Sequence, residues 1–213
     1  MEITGLSVYK GDTYKLELDD EQTFFINSAV VSDYGLRKGG EISPELLARL
    51  RSADNMRKAK KRALYLLGTR QYCYGELFRK LKLTYDEETA RAAADSMREY
   101  GYVNDEEYAP KLAEYLLRTK KFGMRKARWE MISRGLDESL VEDVLAEYTD
   151  EDIDEEITAL LSRKYSSKIE DRDDRRRTIA ALSRRGYDYR AVKRCIERLL
   201  EESGDFEDDE DFE

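Results

Sequence analysis

The sequence predicts a mainly α protein: three tandem three-helix repeats in an elongated, curved array, preceded by a small antiparallel three-stranded β meander and followed by a disordered acidic tail. Three observations carry this. Among 213 residues there are only 2 Pro and 12 Gly beside 40% charged residues, a mixture suited to helices rather than to a sandwich. Apolar residues in the first 42 positions alternate with polar ones, the period of half-buried strands. From about residue 55 the apolar period becomes helical and then recurs at intervals of 51 residues.

In chain order, Ile3, Leu6 and Val8, then Tyr14, Leu16 and Leu18, then Phe24 and Ile26 mark the strands. Gly11-Asp12 and Asp19-Asp20-Glu21 stand where turns are needed, and Gly39-Gly40 reads as a further turn. Such a meander needs a neighbour to cover its apolar face. Ser43-Pro44-Glu45 opens a helix, with Ser as N-cap, Pro at the first helical position and an acid in the first turn.

The repeat is anchored by Asp86, Asp137 and Asp188, each preceded by an apolar residue and followed four positions later by Ala90, Val141 or Val192. That is an N-cap spacing with a hydrophobic staple. The register continues through Ala93, Val144 and Cys195, then Ala94, Leu145 and Ile196, then Met97, Tyr148 and Leu199. A second helix precedes each cap: Leu77, Phe78 and Leu81; Ala127, Trp129, Met131 and Ile132; Ile179 and Leu182. Gly135 and Gly186 end that helix in copies two and three in the left-handed position that side chains resist, whereas copy one lacks such a Gly. A third helix lies upstream in each copy, over Ala63 to Gly68, Tyr108 to Leu116 and Ile157 to Leu161. The expected organisation is residues 1–50 for the strands and a short helix, 51–105, 106–150 and 151–200 for the repeats, and 201–213 for the tail.

The net charge of −9 resides in the last 13 residues, EESGDFEDDEDFE, which hold nine acids and no base. The rest is formally neutral but blocked: −4 over 1–50, +8 over 51–82, −5 over 83–118, +5 over 119–136, −11 over 137–160 and +7 over 161–200. The tail is expected to be solvating, either as a plain solubility device or as a nucleic-acid mimic competing in cis for the basic blocks.

Several chemistries are excluded. Histidine is absent, which removes Ser-His and Cys-His dyads and imidazole zinc ligands. Cys73 and Cys195 lie far apart and form no CxxC, so both are expected as reduced packing or surface thiols. There is no GxxxxGK[ST] or GxGxxG motif. Acid pairs such as Asp86-Glu87 and Asp173-Asp174 read as ordinary first-turn complements to the helix dipole rather than as a Mg²⁺ site. No cofactor, no metal and no catalysis are expected. With no 18-residue apolar run and no basic-then-apolar start, neither a membrane span nor a secretory signal is expected, and a cytoplasmic location follows.

The segments Glu76-Leu77-Phe78-Arg79-Lys80-Leu81, Gly101-Tyr102-Val103-Asn104-Asp105 with Tyr108-Ala109, and Gly123 followed by Met131-Ile132-Ser133-Arg134-Gly135-Leu136 resemble the RecX family of bacterial recombination regulators. Leu36-Arg37-Lys38-Gly39, Asn55-Met56-Arg57-Lys58-Ala59 and the strand-rich start are similar to its longer members, so the resemblance spans roughly residues 1–200. Cys73 departs from it, standing where the family commonly has a Ser or Thr cap, and a thiol is a poor cap acceptor. The resemblance implies a modulator, most often an inhibitor, of the RecA recombinase. Such a protein lies along the RecA–DNA filament, interferes with ATP turnover, strand exchange and coprotease activity, and acts in DNA repair, recombination and the SOS response. It implies RecA and its filament as partners, DNA directly as a further one, a monomer, and no enzyme.

Candidate contacts come from the basic blocks. Lys120, Lys121, Arg125, Lys126 and Arg128 flank Gly123 and reach either a partner or only solvent. Arg57, Lys58, Lys60, Lys61 and Arg62 either bind DNA or pair with the acids of residues 1–50. Arg172, Arg175, Arg176, Arg177, Arg184 and Arg185 have Asp171, Asp173 and Asp174 beside them, so local pairing competes there. Gly101, Tyr102, Asn104, Asp105 and Tyr108 read as a turn and cap, with Asp105 as the cap. Trp129 is expected in the core, and Tyr72 and Tyr74 either pack there or stack on bases. Three functions fit: a RecA-filament regulator, an autonomous nucleic-acid-binding module, and a helical scaffold for another protein.

Overall fold

A computed structural model describes residues 1–203. Within it the chain forms two compact units, residues 1–103 and 104–213 by number, of which the second is described to Ser203. Residues 204–213 of the acidic tail lie outside the described residues, and Glu201, Glu202 and Ser203 close the last helix instead of belonging to a tail.

In the first unit, strands β1 (Ile3–Lys10), β2 (Thr13–Leu18) and β3 (Thr23–Asn27) pair antiparallel in the order β1-β2-β3. The register sets Leu6 opposite Leu16 and Tyr14 opposite Ile26. Period-2 alternation puts Ile3, Leu16, Leu18 and Ile26 on one face. They are buried with Val30 of a short helix α1 (Ser28–Asp33) and with Leu47 and Leu50 of α2 (Pro44–Leu67). Helix α2 begins at the Ser43 cap, whose hydroxyl accepts from Leu46 N–H at 3.1 Å, and runs unbroken for 24 residues. The expected domain boundary at residues 50 and 51 therefore falls inside a helix. Its first half covers the sheet and its second half, through Ala59, Ala63 and Leu66, is the first helix of repeat one. Between the halves sits the buried Asp54, which accepts from Asn27 N–H at 2.8 Å and pairs with Lys58 at 2.5 Å.

Helices α3 (Tyr74–Lys82) and α4 (Glu87–Glu99) complete repeat one around Leu77, Leu81, Ala90, Ala93, Ala94 and Met97. Cys73 occupies the N-cap position of α3 without capping it by its side chain. The second unit holds α5 (Asp105–Glu114), a π-turn (Tyr115–Thr119), α6 (Met124–Arg134) and α7 (Glu138–Leu145) as repeat two. Helices α8 (Asp150–Lys164), α9 (Arg172–Arg184) and α10 (Tyr189–Ser203) form repeat three, with a single 3₁₀ turn at Ser166–Lys168. Asp86, Asp137 and Asp188 each accept backbone N–H groups at the start of the closing helix of a repeat. The positions one turn in, Ala90, Val141 and Val192, are each fully buried.

Two expectations change. The cap of α5 is Asn104, whose side-chain oxygen accepts from Glu107 N–H at 3.2 Å, and Asp105 is the first helical residue. Trp129 is not in the core: it is 65% exposed. Ala127 and Met131 face inward, and a residue two positions from each lies about 200° around the helix, on the far side.

Candidate functional site

The basic stretch of α2 is held by its own unit. Arg57 pairs with Asp33 at 2.7 Å, Lys58 with Asp54, and Lys61 with Asp12 at 3.1 Å. The Lys61 ammonium, through a hydrogen bond and its charge, holds the Asp12 carboxyl below the usual carboxylate range. Lys60 lies 5.9 Å from the Tyr100 ring centre and Arg62 5.2 Å from that of Tyr65. Two of the five candidates, Arg57 and Lys61, thus pair with acids of residues 1–50, Lys58 pairs with Asp54 of its own helix, and two rest on tyrosines that face solvent.

The middle basic block is built differently. Helix α5 leaves its regular ladder in the π-turn, Lys120 N–H donates back to Tyr115 O, and Lys121 turns the chain with φ of 53°. A side chain in the left-handed region costs about 1–2 kcal/mol, so the surroundings must hold it. They do. Lys121 Nζ pairs with Glu156 at 2.5 Å, and Arg185 donates to Lys121 O at 3.0 Å and to Lys120 O at 2.6 Å. Gly123 then begins α6 with its N–H on Arg185 O, and Arg125 N–H donates to Gly186 O at 3.2 Å. Gly186 has φ of 92°. The Arg125 guanidinium donates to Tyr187 O at 3.0 Å and stands 3.6 Å from Asp188. Arg118 lies 3.7 Å from both Asp152 and Glu156.

This block therefore joins repeats two and three. Arg128 forks between Glu138 and Glu142 of α7. Among the described residues Lys120 and Lys126 have no ion pair; they lie 5.6 Å from the Tyr115 ring and 4.3 Å from the Phe122 ring. Their ammonium groups are the ones of this block left without a counter-charge among the described residues. Sequence inspection missed Arg118 and Glu156 as members of the joint, and placed Arg185 only in the third basic block. The one signal was the acidic run 137–160, whose Asp152 and Glu156 supply the counter-charges from 34 and 35 residues away.

In the third block Arg175 donates to Ile169 O and Glu170 O, closing the loop into α9, and Arg177 pairs with Asp174 at 2.9 Å. Arg172, Arg176 and Arg184 are exposed on α9. Local contacts account for part of this block, as the neighbouring acids suggest.

The aromatic candidates separate. Tyr72 is buried beneath the Arg70 guanidinium, 3.8 Å from its ring centre, and Tyr74 donates its hydroxyl to Asp95 at 3.0 Å and stacks on Phe78. Both pack. Gly101 has φ of 73°, and Tyr102 N–H donates to Met97 O to close α4. Tyr108 receives a hydrogen bond from Arg134 at 3.2 Å. Gly135 ends α6 with φ of 96°. Cys73 and Cys195 are both buried and free, and burial pushes the Cys195 thiol up. Among the described residues no group of three Cys, Asp or Glu side chains is placed to hold a metal ion, and no helix is long and apolar enough to cross a membrane.

Comparison with known proteins bears on this fold. Residues 104–145, the whole of repeat two from cap to closing helix, match the family model described as "RecX, second three-helix domain". The chain is 26% identical over 192 residues to a regulatory protein RecX of Clostridioides difficile, covering 89% of this chain and 90% of that one. It is 26% identical to the protein of the same name in Clostridium perfringens, with 92% and 95% covered. A crystal structure of a regulatory protein RecX superposes with a TM-score of 0.66 at 23% identity, covering 90% of this chain and 97% of that one. That of a RecX from Lactobacillus salivarius gives 0.62 at 23% identity, with 69% and 97% covered.

Proposed function

We propose, on the premise that this chain belongs to the RecX family, that it binds the RecA recombinase or the filament RecA forms on DNA and lowers its ATPase, strand-exchange and coprotease activities. The regulatory role is the one its relatives' name states. The observation that carries the proposal is the length of the likeness: it runs through about nine-tenths of both chains, sheet module and repeats together. The protein acts without catalysis of its own, in the cytoplasm and as a monomer.

The side chains support this by their division of labour. Lys121 and Arg125 fix the geometry of the inter-repeat joint, Arg128 ties α6 to α7 within repeat two, and Lys120 and Lys126 offer charge to acidic side chains or phosphates. On α2, Lys60 and Arg62 offer charge beside exposed tyrosines, while Arg57, Lys58 and Lys61 tie the helix to its module.

The test adds the full chain to its own host's RecA on single-stranded DNA and measures ATP hydrolysis, with retention on preassembled filaments at two salt concentrations alongside. Suppression at or below one chain per filament subunit is expected. Hydrolysis that continues unchanged, with the chain absent from washed filaments, removes the proposal.

A further inference from the structure

Arg185, the residue that closes α9 in repeat three, reaches four consecutive residues of repeat two. Its guanidinium donates to Lys120 O at 2.6 Å and to Lys121 O at 3.0 Å, and its own carbonyl accepts from Gly123 N–H at 2.9 Å. The guanidinium also lies 5.9 Å from the centre of the Phe122 ring. From the other side, Glu156 of α8 holds the Lys121 ammonium. Repeat two contributes the bonds from Lys120 N–H to Tyr115 O and from Phe122 N–H to Leu116 O. Those fix the amides of the turn, whereas Arg185 fixes its carbonyls.

Such a turn does not hold itself. Lys121 sits at φ of 53°, a conformation that a side chain keeps only where its surroundings over-determine it. Without the guanidinium fork the carbonyls of Lys120 and Lys121 can turn to water and the backbone can return toward the right-handed region, which carries the Lys120 side chain elsewhere. Lys120 is exposed, so the turn decides where its charge stands.

We propose that Arg185 is a positioning residue for recognition by the neighbouring repeat. It holds the Lys120–Gly123 turn in the conformation that presents the Lys120 ammonium to an acidic side chain or phosphate of the partner, so that repeats two and three recognise as one element. The assignment rests on the RecA-directed function. Three features favour positioning over direct contact. Arg185 is half-buried and spends its Nε and one terminal nitrogen inside the protein, whereas the Lys120 ammonium has no ion pair among the described residues. A planar guanidinium fixes two carbonyls at once, which a point-charge ammonium does not. Holding a binding group in place before the partner arrives lowers the ordering cost of binding.

The test is a double-substitution cycle in the full chain, read as the concentration that half-suppresses ATP hydrolysis by RecA on single-stranded DNA. Lys120→Ala and Arg185→Lys should each raise that concentration several-fold, and the two together should raise it no further than Arg185→Lys does. Arg185→Ala should match Arg185→Lys, because the fork and not the charge is at stake. In the free chain, hydrogen exchange of the Phe122 and Gly123 amides should quicken about tenfold in Arg185→Lys, the worth of about one hydrogen bond to a charged group, with Ile179 and Leu182 of α9 unchanged. Effects that multiply, full rescue by Lys where Ala fails, or an unaltered half-suppressing concentration in Arg185→Lys overturns the proposal. Exchange that quickens throughout α9 does so too, since it makes Arg185 a residue of the joint and no more. A parent chain that suppresses nothing and is absent from washed filaments removes the RecA-directed function and this assignment with it, whereas parent suppression with multiplying effects removes this assignment alone.

Discussion

Gly123 and Gly186 meet backbone to backbone at the joint between repeats two and three. A Cβ on Gly123 would lie 2.2 Å from Gly186 C and Tyr187 N, and one on Gly186 would lie 2.4 Å from Lys126 N. No soft side-chain end stands in the way to yield. Replacing Gly123 by Ala should therefore cost about 1–3 kcal/mol through overpacking. Gly186→Ala should cost more, because the left-handed backbone adds about 1–2 kcal/mol. Gly101→Ala is the control: it is left-handed too, but its Cβ would meet nothing within 4 Å, so only the backbone cost applies. Urea midpoints at constant m decide the order, and a Gly123→Ala chain as stable as the parent would refute the close approach.

Lys121 occupies the left-handed region with its side chain on Glu156. Lys121→Ala loses the ion pair and keeps the backbone cost, while Lys121→Gly loses the pair and relieves that cost. The glycine variant should be the more stable of the two by about 1 kcal/mol in chemical denaturation. Equal stabilities would mean that the turn stores no strain.

Tyr187 is buried with a hydroxyl that has no hydrogen-bond partner among the described residues. Burial, and then the charge of Glu156, push its phenol up to about 12. Since the folded value exceeds the unfolded one of about 10, the associated stability is present below pH 10 and lost as pH rises toward 12. Tyr187→Phe removes an orphaned polar group and should raise stability by about 1 kcal/mol at neutral pH, with a shallower loss in alkali. Destabilisation by the substitution would show that the hydroxyl is satisfied.

At the other end of the scale, Asp86 accepts hydrogen bonds from the Thr89 N–H and the Thr89 hydroxyl, which hold its carboxyl below the usual carboxylate range. A depressed folded value contributes stability that is present above pH of about 4 and is lost as pH falls through the folded value. Asp86→Asn keeps a capping oxygen without a titrating group, so its thermal midpoint should fall less between about pH 4 and pH 2 than that of the parent chain. Superimposable profiles would assign the acid sensitivity to other carboxylates.

Of the cations flanking Gly123, those without an ion pair should matter to a partner and the paired ones to folding. Lys120→Ala with Lys126→Ala should weaken suppression of RecA ATP hydrolysis several-fold at unchanged helical content. Lys121→Ala should instead lower stability by about 1 kcal/mol or less, the worth of a partly exposed pair. Suppression left intact by the double substitution would move the partner contact off this loop.

Much of the molecule was legible from residues alone. The 51-residue interval of Asp86, Asp137 and Asp188 marked three helix starts because a cap acts on N–H groups only two or three residues ahead. Gly135 and Gly186 marked helix ends for the same local reason. The strands were legible because burial on one face of a sheet imposes a period of two. Where local signals competed, reading failed by small steps: Asn104 and Asp105 both make good caps, and the chain geometry chose the first.

The candidate site was legible only as charge. Alternating blocks identified which residues carry it, but not which would be spent inside the protein, because Lys121 and Glu156 are 35 residues apart and Arg185 and Lys120 65 apart. Such partners meet only when repeats two and three pack, and packing there turned on two glycines small enough to touch. Packing of α6 inside repeat two decided that the indole of Trp129 points to water: its neighbours Ala127 and Met131 could fill the core side of α6, and a helix has only one such side. Composition, periods and caps, all acting within a turn or two, were thus determined by sequence alone, whereas the division of cations into structural and available ones was decided by contacts between distant segments.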